Sequence, residues 1–322
     1  MMSRETRRKG MKHSILAVAL LAVFALSASA YDFLYTGDTA ITHDMGAFGI
    51  RGEFVYLSAD GAYDSEGEKV DWPDDTKFTQ TAVPVEIYYS VMDNLEIGVQ
   101  PKFLSRKYEY SYVDPADTTQ MVTCECDGTG IGDTWLWAKY MFMPEPLMTA
   151  RLGVKVATGD DEPGDMEYPL GTGQMDVDGA IMLGAPAGPG MFEVAIGYRY
   201  RMARGAETTV ESDGGEEVTY EDYKYGDEIH FAAMYTYYLN DAMNLRIGAD
   251  GFFGSDHQYE DATTDGLEEI AESAMNAVWI NPGFDYLMEN GMTLGIDVHY
   301  PLMGQNVNAL WGAGAYVSWG SM

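Results

Sequence analysis

Met292-Thr293-Leu294-Gly295-Ile296-Asp297-Val298-His299-Tyr300 alternates apolar and polar side chains over its whole length. A period of two puts successive side chains on opposite faces of an extended strand, whereas a helix repeats every 3.6 residues. Met292, Leu294, Ile296, Val298 and Tyr300 therefore share one face, and Thr293, Gly295, Asp297 and His299 the other. The same alternation recurs along the chain. Leu95, Ile97, Val99 and Phe103 oppose Glu96, Gly98, Gln100 and Lys102. Phe192, Val194, Ile196, Tyr198 and Tyr200 oppose Glu193, Ala195, Gly197, Arg199 and Arg201, while Leu245, Ile247 and Ala249 oppose Arg246, Gly248 and Asp250.

Such runs predict about twelve strands, near 46–58, 79–91, 95–110, 130–143, 148–158, 174–185, 191–203, 227–239, 243–256, 275–288, 291–303 and 308–319. Their connections alternate in length. Met92-Asp93-Asn94, Pro144-Glu145-Pro146, residues 186–190, Asn240-Asp241-Ala242 and Glu289-Asn290 are tight turns. Long polar loops lie near 60–77, 112–128, 159–172, 204–226 and 257–273. Short turns at one end and long loops at the other predict an all-β fold, a transmembrane antiparallel up-and-down β-barrel with short periplasmic turns and long acidic extracellular loops. Aromatic residues beside the short turns, Tyr88, Tyr89, Tyr140, Phe142, Phe192, Tyr237, Tyr238 and Tyr286, fit an interfacial girdle. A soluble sandwich also alternates, but it does not require that aromatic ring.

The remainder of the sequence agrees on location. Residues 1–30 read as a secretory signal: Arg4, Arg7, Arg8, Lys9 and Lys12 precede the apolar run Ile15–Leu26, and Ala28-Ser29-Ala30 offers the cleavage site. The run of about twelve residues falls short of the ~20 that a spanning helix needs. Residues 31–45 are a segment expected in the periplasm or the lumen, and 46–322 the barrel. The whole chain of 322 residues carries 51 Asp and Glu against 19 Lys and Arg, a net charge of −32. That balance excludes a nucleic-acid partner, which needs cationic contacts to phosphate. Two cysteines cannot build a disulfide scaffold or a four-ligand zinc site.

If the apolar stripes face lipid, the opposite face assigns a charge network to the lumen. Its candidate selectivity residues are Arg51, Glu53, Glu86, Glu96, Lys102, Asp133, Lys139, Arg151, Lys155, Asp176, Asp178, Glu193, Arg199, Arg201, Arg246, Asp250, Asp285, Asp297 and His299, with Glu228 and His230 beside them. Lys or Arg facing lipid at the bilayer midplane would cost about 2–4 kcal/mol. Two arrangements are open: a conduit in which a basic stripe of Lys102, Lys139, Arg151, Arg199, Arg201 and Arg246 opposes Asp133, Asp176, Asp178 and Asp250, or an interior filled by paired charges.

Other features carry weaker expectations. Asp60, Asp64, Glu66, Glu68, Asp71, Asp74 and Asp75, and then Asp160, Asp161, Glu162, Asp165 and Glu167, make acidic loops suited to divalent cations, without a complete calcium-loop spacing. Cys124-Glu125-Cys126 suggests a local disulfide in an oxidising compartment. Asp265-Gly266-Leu267-Glu268, followed by Ile270, Ala271 and Ala274, has the spacing of a capped short helix. Gly-x-Ser-x-Gly is absent, and His13, His43, His230, His257 and His299 suggest no Ser/His/acid set. Neither an enzyme nor a cofactor is expected, and the sequence names no metal site.

Several stretches resemble the outer-membrane transporter family named for the meta-pathway of phenol degradation. They are Gly130-Ile131-Gly132-Asp133 with Ala138-Lys139-Tyr140, Gly153–Asp160 with Leu170-Gly171-Thr172-Gly173, and Asn281–Tyr286 with Tyr300-Pro301-Leu302. Gly37–Ala40 and Gly46–Phe48 match more loosely. The resemblance implies an outer-membrane barrel passing small aromatic or hydrophobic compounds, and it supplies no catalytic or binding residues. Such barrels end on an aromatic residue read by the barrel-assembly machinery, whereas here Trp319 is followed by Gly320-Ser321-Met322. The sequence thus predicts an outer-membrane, porin-like channel for passive uptake of a small-molecule solute, in contact with lipid and lipopolysaccharide. The competing expectation is a structural or surface-interaction barrel with a filled lumen and cation-binding loops.

Overall fold

A computed structural model describes residues 39–73, 76–113, 121–161, 167–211, 217–261 and 267–320. Twelve antiparallel strands close into one barrel. They are β1 (Phe48–Ala59), β2 (Lys77–Met92), β3 in two pieces (Leu95–Gln100 and Lys102–Val113) and β4 in two pieces (Met121–Ile131 and Thr134–Pro144). Next come β5 (Leu147–Val156), β6 (Asp176–Ala187), β7 (Gly190–Arg201) and β8 (Glu228–Asn240). β9 (Met243–Gly254), β10 (Asn276–Leu287), β11 (Met292–Gln305) and β12 (Trp311–Gly320) complete the wall. Each strand pairs with its neighbours in sequence, and β1 pairs with β12 from Gly49↔Gly320 to Ser58↔Trp311. That seam removes the open edge, which hydrocarbon cannot tolerate because it offers no partner for backbone N–H or C=O.

Register follows the sequence alternation. Along β7, Phe192, Ile196, Tyr198 and Tyr200 point outward, whereas Gly197, Arg199 and Arg201 are buried inside. Phe192 and Tyr200 lie about 27 Å apart along the strand. At a tilt near 40° this gives an apolar band of roughly 20 Å between two aromatic belts. Phe48, Tyr140, Phe142, Tyr237 and Trp319 continue the belt at the short-turn end, and Phe253, Tyr300 and Trp311 the other. The wall is that of a transmembrane barrel, its apolar surface turned outward and its charge inward. Glycines on the inner face make room for rings: a Cβ at Gly295 would overlap the Tyr316 ring from β12, and one at Gly98 the indole of Trp137.

At the long-loop end the strands run beyond the band. β3 and β4 stay paired to Val113↔Met121, so much of the stretch expected as a loop near 112–128 is hairpin. The stretch near 204–226 likewise holds strands Arg204–Glu211 and Glu217–Lys224, extended by Gln258–Asp261 and Glu268–Glu269. A smaller sheet joins Gly61–Tyr63, Lys69–Asp71 and Val307–Asn308.

Two expectations fail. The helix expected over 265–274 is absent among the described residues: Glu268–Glu269 pairs with Gln258–Tyr259, and Glu272 takes a φ of 61°. A helix of under three turns is too short to hold on propensity alone, and the loop sheet supplies a competing edge. Residues 265 and 266, the expected cap, lie outside the described residues. The expected Cys124–Cys126 disulfide is also absent, both thiols being free. They stand two apart on one face of β4, opposite Tyr110 and Tyr108. Strand geometry separates such positions by about 6.5–7 Å, whereas a disulfide requires Cβ atoms about 3.5–4.5 Å apart.

Ile196 is 61% exposed on the outer wall, midway between Phe192 and Tyr200. Ile196→Arg is expected to cost about 2–4 kcal/mol of unfolding free energy in lipid vesicles, and Ile196→Leu less than about 1.5 kcal/mol. Equal effects in a denaturant titration would contradict a lipid-facing position.

Candidate functional site

The lumen is built in three levels. At the short-turn end, residues 39–45 lie against the inner wall. Ala40 donates its amide to Glu193 Oε1 at 3.0 Å, and its carbonyl accepts from the Thr149 hydroxyl. Lys139 Nζ reaches Thr39 O at 3.3 Å, and the Thr42 hydroxyl donates to Asp93 O at 2.9 Å. His43 donates its amide to Glu96 Oε1 at 2.7 Å, sets Nδ1 2.6 Å from the same oxygen, and stacks on Tyr88. Ala40 packs on Met182 and Ala195. Glu96, Lys139 and Glu193, expected as selectivity residues, thus hold this segment to the wall.

Above it lies the charged level. The residues assigned to the lumen network lie on the inner face, Asp133 in the break of β4 and the others on strands, but the cations do not form a stripe apart from the acids. Lys139 Nζ sits 3.0 Å from Glu96, and Lys155 Nζ 2.6 Å from Asp176 and 3.8 Å from Asp133. Asp133 also accepts the amides of Gly159 and Thr172. Glu228 bridges Arg199 at 2.8 Å and Arg201 at 2.6 Å, while Asp178 faces Arg199 at 3.5 Å and His230 at 2.7 Å. Arg246 lies 2.9 Å from Asp285 and 3.7 Å from Asp297. Arg51 lies 3.3 Å from Glu53 and opposite Glu86 across the β1–β2 ladder. The strand register sets opposite signs face to face at Arg51↔Glu86, Glu96↔Lys139, Asp176↔Lys155, Asp178↔Arg199 and Arg199↔Glu228, where the attraction is strong in a poorly solvated interior, while Lys139 and Arg151 stand opposite each other beside the Trp137 ring.

Aromatic rings separate these pairs. Tyr316 lies between two guanidinium groups, with Arg51 Cζ 3.8 Å and Arg246 Cζ 5.4 Å from its centroid. Arg151 covers Trp137 and Arg199 covers Trp135, each at 5.0 Å. Lys102 stands opposite Pro84, where β3 breaks at Pro101. Asp250 accepts from the Asn281 amide, which also faces His299. Beneath this level a cavity of about 230 Å³ opens toward residues 39–41, walled by Met182, Met191, Met234 and Tyr238 and edged by Arg246 and Asp285.

The third level was not anticipated. Val55, Leu57, Phe78, Leu104, Tyr108, Phe252 and Trp279 point inward and pack with Tyr168, Leu170, Val307 and Leu310 from between the wall strands into an apolar cluster. Sequence held one sign of it. Phe54-Val55-Tyr56-Leu57 is apolar on both faces, so β1 loses its alternation at this height.

Outside the membrane band, the acidic loops are partly neutralised. Lys69 lies 3.4 Å from Asp71 and 3.7 Å from Asp60, and Arg204 lies 2.9 Å from Asp161. Asp64 Oδ1 accepts the amides of Glu66 and Glu68. Asp74, Asp75, Glu162 and Asp165 lie outside the described residues. His257 is buried between Tyr223 and Tyr225, its Nδ1 accepting the Gly226 amide at 2.8 Å. Burial first, and the nearby Arg201 second, push its pKa down to about 4.

The family model described as "Putative MetA-pathway of phenol degradation" matches residues 59–318. The chain belongs to that family. Among solved structures, an outer-membrane channel from Pseudomonas putida F1 is similar to this family member, with a TM-score of 0.64 and 16% identity over 89% of this chain and 100% of that one. The transport unit of the autotransporter AIDA-I from Escherichia coli gives a TM-score of 0.47 and 10% identity over 94% and 97% of the two chains. The β domain of the Bordetella autotransporter BrkA gives 0.45 and 10% over 86% and 100%. No curated protein sequence matches the chain.

Removing Glu228 takes their shared carboxylate from two buried guanidinium groups. Glu228→Ala is expected to cost about 3–5 kcal/mol, and Glu228→Gln less, measured by the unfolding midpoint of the folded band on unheated gels. His257 is neutral in the fold, so its contribution is full above about pH 6.5 and falls as pH drops toward 4. The Gly226 amide should accordingly lose hydrogen-exchange protection across that window, and a pH-independent protection factor would contradict this environment.

Proposed function

We propose that the protein is an outer-membrane channel through which small apolar or aromatic molecules diffuse into the periplasm. The observation that carries this reading is the division of the lumen. An apolar, ring-lined level stands at the long-loop end, and a methionine-walled cavity of about 230 Å³ stands below it. A dry apolar cavity of about 150 Å³ accommodates benzene, so the larger space is sufficient for a substituted single ring. Between them most charges stand beside one of opposite sign, which lowers the penalty an uncharged solute meets in passing. The family description, a pathway of phenol degradation, and the Pseudomonas putida neighbour, an outer-membrane channel, support the same solute class and role.

In this reading residues 39–45 are the gate at the periplasmic mouth, latched by His43 on Glu96 and by Ala40 on Glu193. Exposed carboxylates such as Asp60 and Asp71 would hold divalent cations that bridge to lipopolysaccharide. Trp319 on β12 would serve the barrel-assembly machinery as the terminal aromatic. A second reading, a structural barrel, draws on the same ion pairs and on the apolar cluster, which together fill much of the lumen.

Planar bilayers separate the two. The channel reading predicts stepwise conductance from the full chain, larger steps from a variant lacking residues 31–45, and phenol uptake by vesicles that rises in the same order. Electrical silence of both proteins over many insertions, with no phenol uptake, would overturn it in favour of the structural barrel.

A further inference from the structure

Two strands bring a compact donor set together across the barrel seam. Glu53 on β1 and Asp297 and His299 on β11 each offer a ligand atom, all within 4.8 Å of one another. Gly314 on β12 lies between them: a Cβ there would run into Asp297 Oδ1 and approach Glu53 Oε1 to 3.2 Å. The three side chains are 7%, 4% and 0% exposed.

Their hydrogen bonding is incomplete in a way that points to a cation. Glu53 Oε1 and Asp297 Oδ2 are buried without a hydrogen-bond partner, although Arg51 reaches Glu53 Oε2 at 3.3 Å and Arg246 approaches Asp297 Oδ2 at 3.7 Å. His299 places Nδ1 2.9 Å from Asn281 Oδ1 and Nε2 3.0 Å from Asp297 Oδ1. Asn281 donates its amide to Asp250, so its oxygen is the atom presented to His299. Both imidazole nitrogens therefore face acceptors, whereas a neutral imidazole has only one N–H to donate. With Nδ1 donating to Asn281, Nε2 sets a lone pair against a carboxylate oxygen, a repulsion that a positive charge between them relieves.

The surrounding charge has the same sign. Arg51 and Arg246 are set among four acidic groups, Glu53, Glu86, Asp285 and Asp297, in a water-poor interior. We propose that Glu53, Asp297 and His299 bind one divalent first-row transition-metal ion, with zinc as the representative, and that it staples β1 to β11 across β12. One imidazole nitrogen with two carboxylate oxygens suits such an ion better than calcium, which takes oxygen alone. The Asn281–Asp250 relay orients His299 as outer partners orient metal-bound histidines elsewhere. Arg51, Arg246, Asp285 and Tyr316, which surround the donor set, also line the methionine-walled cavity, giving the ion a route from the periplasmic end.

The test uses the full chain, folded, stripped with chelator and titrated with Zn2+. The expected result is binding of about one tight equivalent, a higher temperature for loss of the folded gel band, and loss of both effects in Glu53→Gln and in His299→Gln. Co2+ in place of Zn2+ should give visible d–d bands carrying an imidazole ligand. Absence of tight binding in the wild type, or undiminished binding in both variants, would overturn the proposal; the latter would locate the ion in the acidic loops. Should either variant fail to fold, 15N NMR of wild-type His299 decides: a doubly protonated ring unaltered by Zn2+ would refute the site, and a metal-shifted Nε2 would support it. None of these readouts depends on solute transport.

Discussion

The hydrocarbon interior of a bilayer offers no hydrogen-bond partner, and the structure answers that constraint by closing β1 on β12. Ten successive residue pairs, Gly49↔Gly320 to Ser58↔Trp311, satisfy the backbone groups that an open edge would leave exposed. Closure also divides every strand into a lipid side and a lumen side. Ile196 and Ile296 are accordingly exposed, while Arg199 and Asp297 are buried one to three residues away.

Burying that many charges in one lumen imposes a second condition. Each must find a partner through strand register, because solvent is scarce and an unpaired buried charge is costly. Glu228 between Arg199 and Arg201, and Asp176 beside Lys155, meet it locally. The group around Glu53, Asp297 and His299 meets it only in part, which makes the seam the place where a bound cation would matter most. At its two ends the lumen is packed by different means: residues 39–45 through backbone amides bonded to wall carboxylates, and the apolar cluster of Phe78, Tyr168 and Trp279 through burial.

How much of this could be read from sequence depends on the range of the interaction. Period-two alternation is local, so the face of every lumen residue was legible, down to Lys102 and Glu193. Partners were not, because a stripe and a set of pairs share the same alternation and differ only in register between strands. Helical spacing over Leu267–Ala274 misled for a related reason: a strand edge at Gln258–Tyr259 outcompetes a short helix. The apolar level was visible only as lost alternation at Phe54–Leu57, and Tyr168 and Leu170 join it from a loop whose sequence carries no such sign.

The most direct test of the account is a spin-label scan of residues 192–200 in bilayers, one cysteine at a time in a background lacking Cys124 and Cys126. Labels at 192, 194, 196, 198 and 200 should collide with oxygen dissolved in lipid and be shielded from a polar nickel reagent. Labels at 193, 195, 197 and 199 should show less oxygen access. A flat profile, or one with the opposite phase, would contradict a wall with lipid outside and charge within.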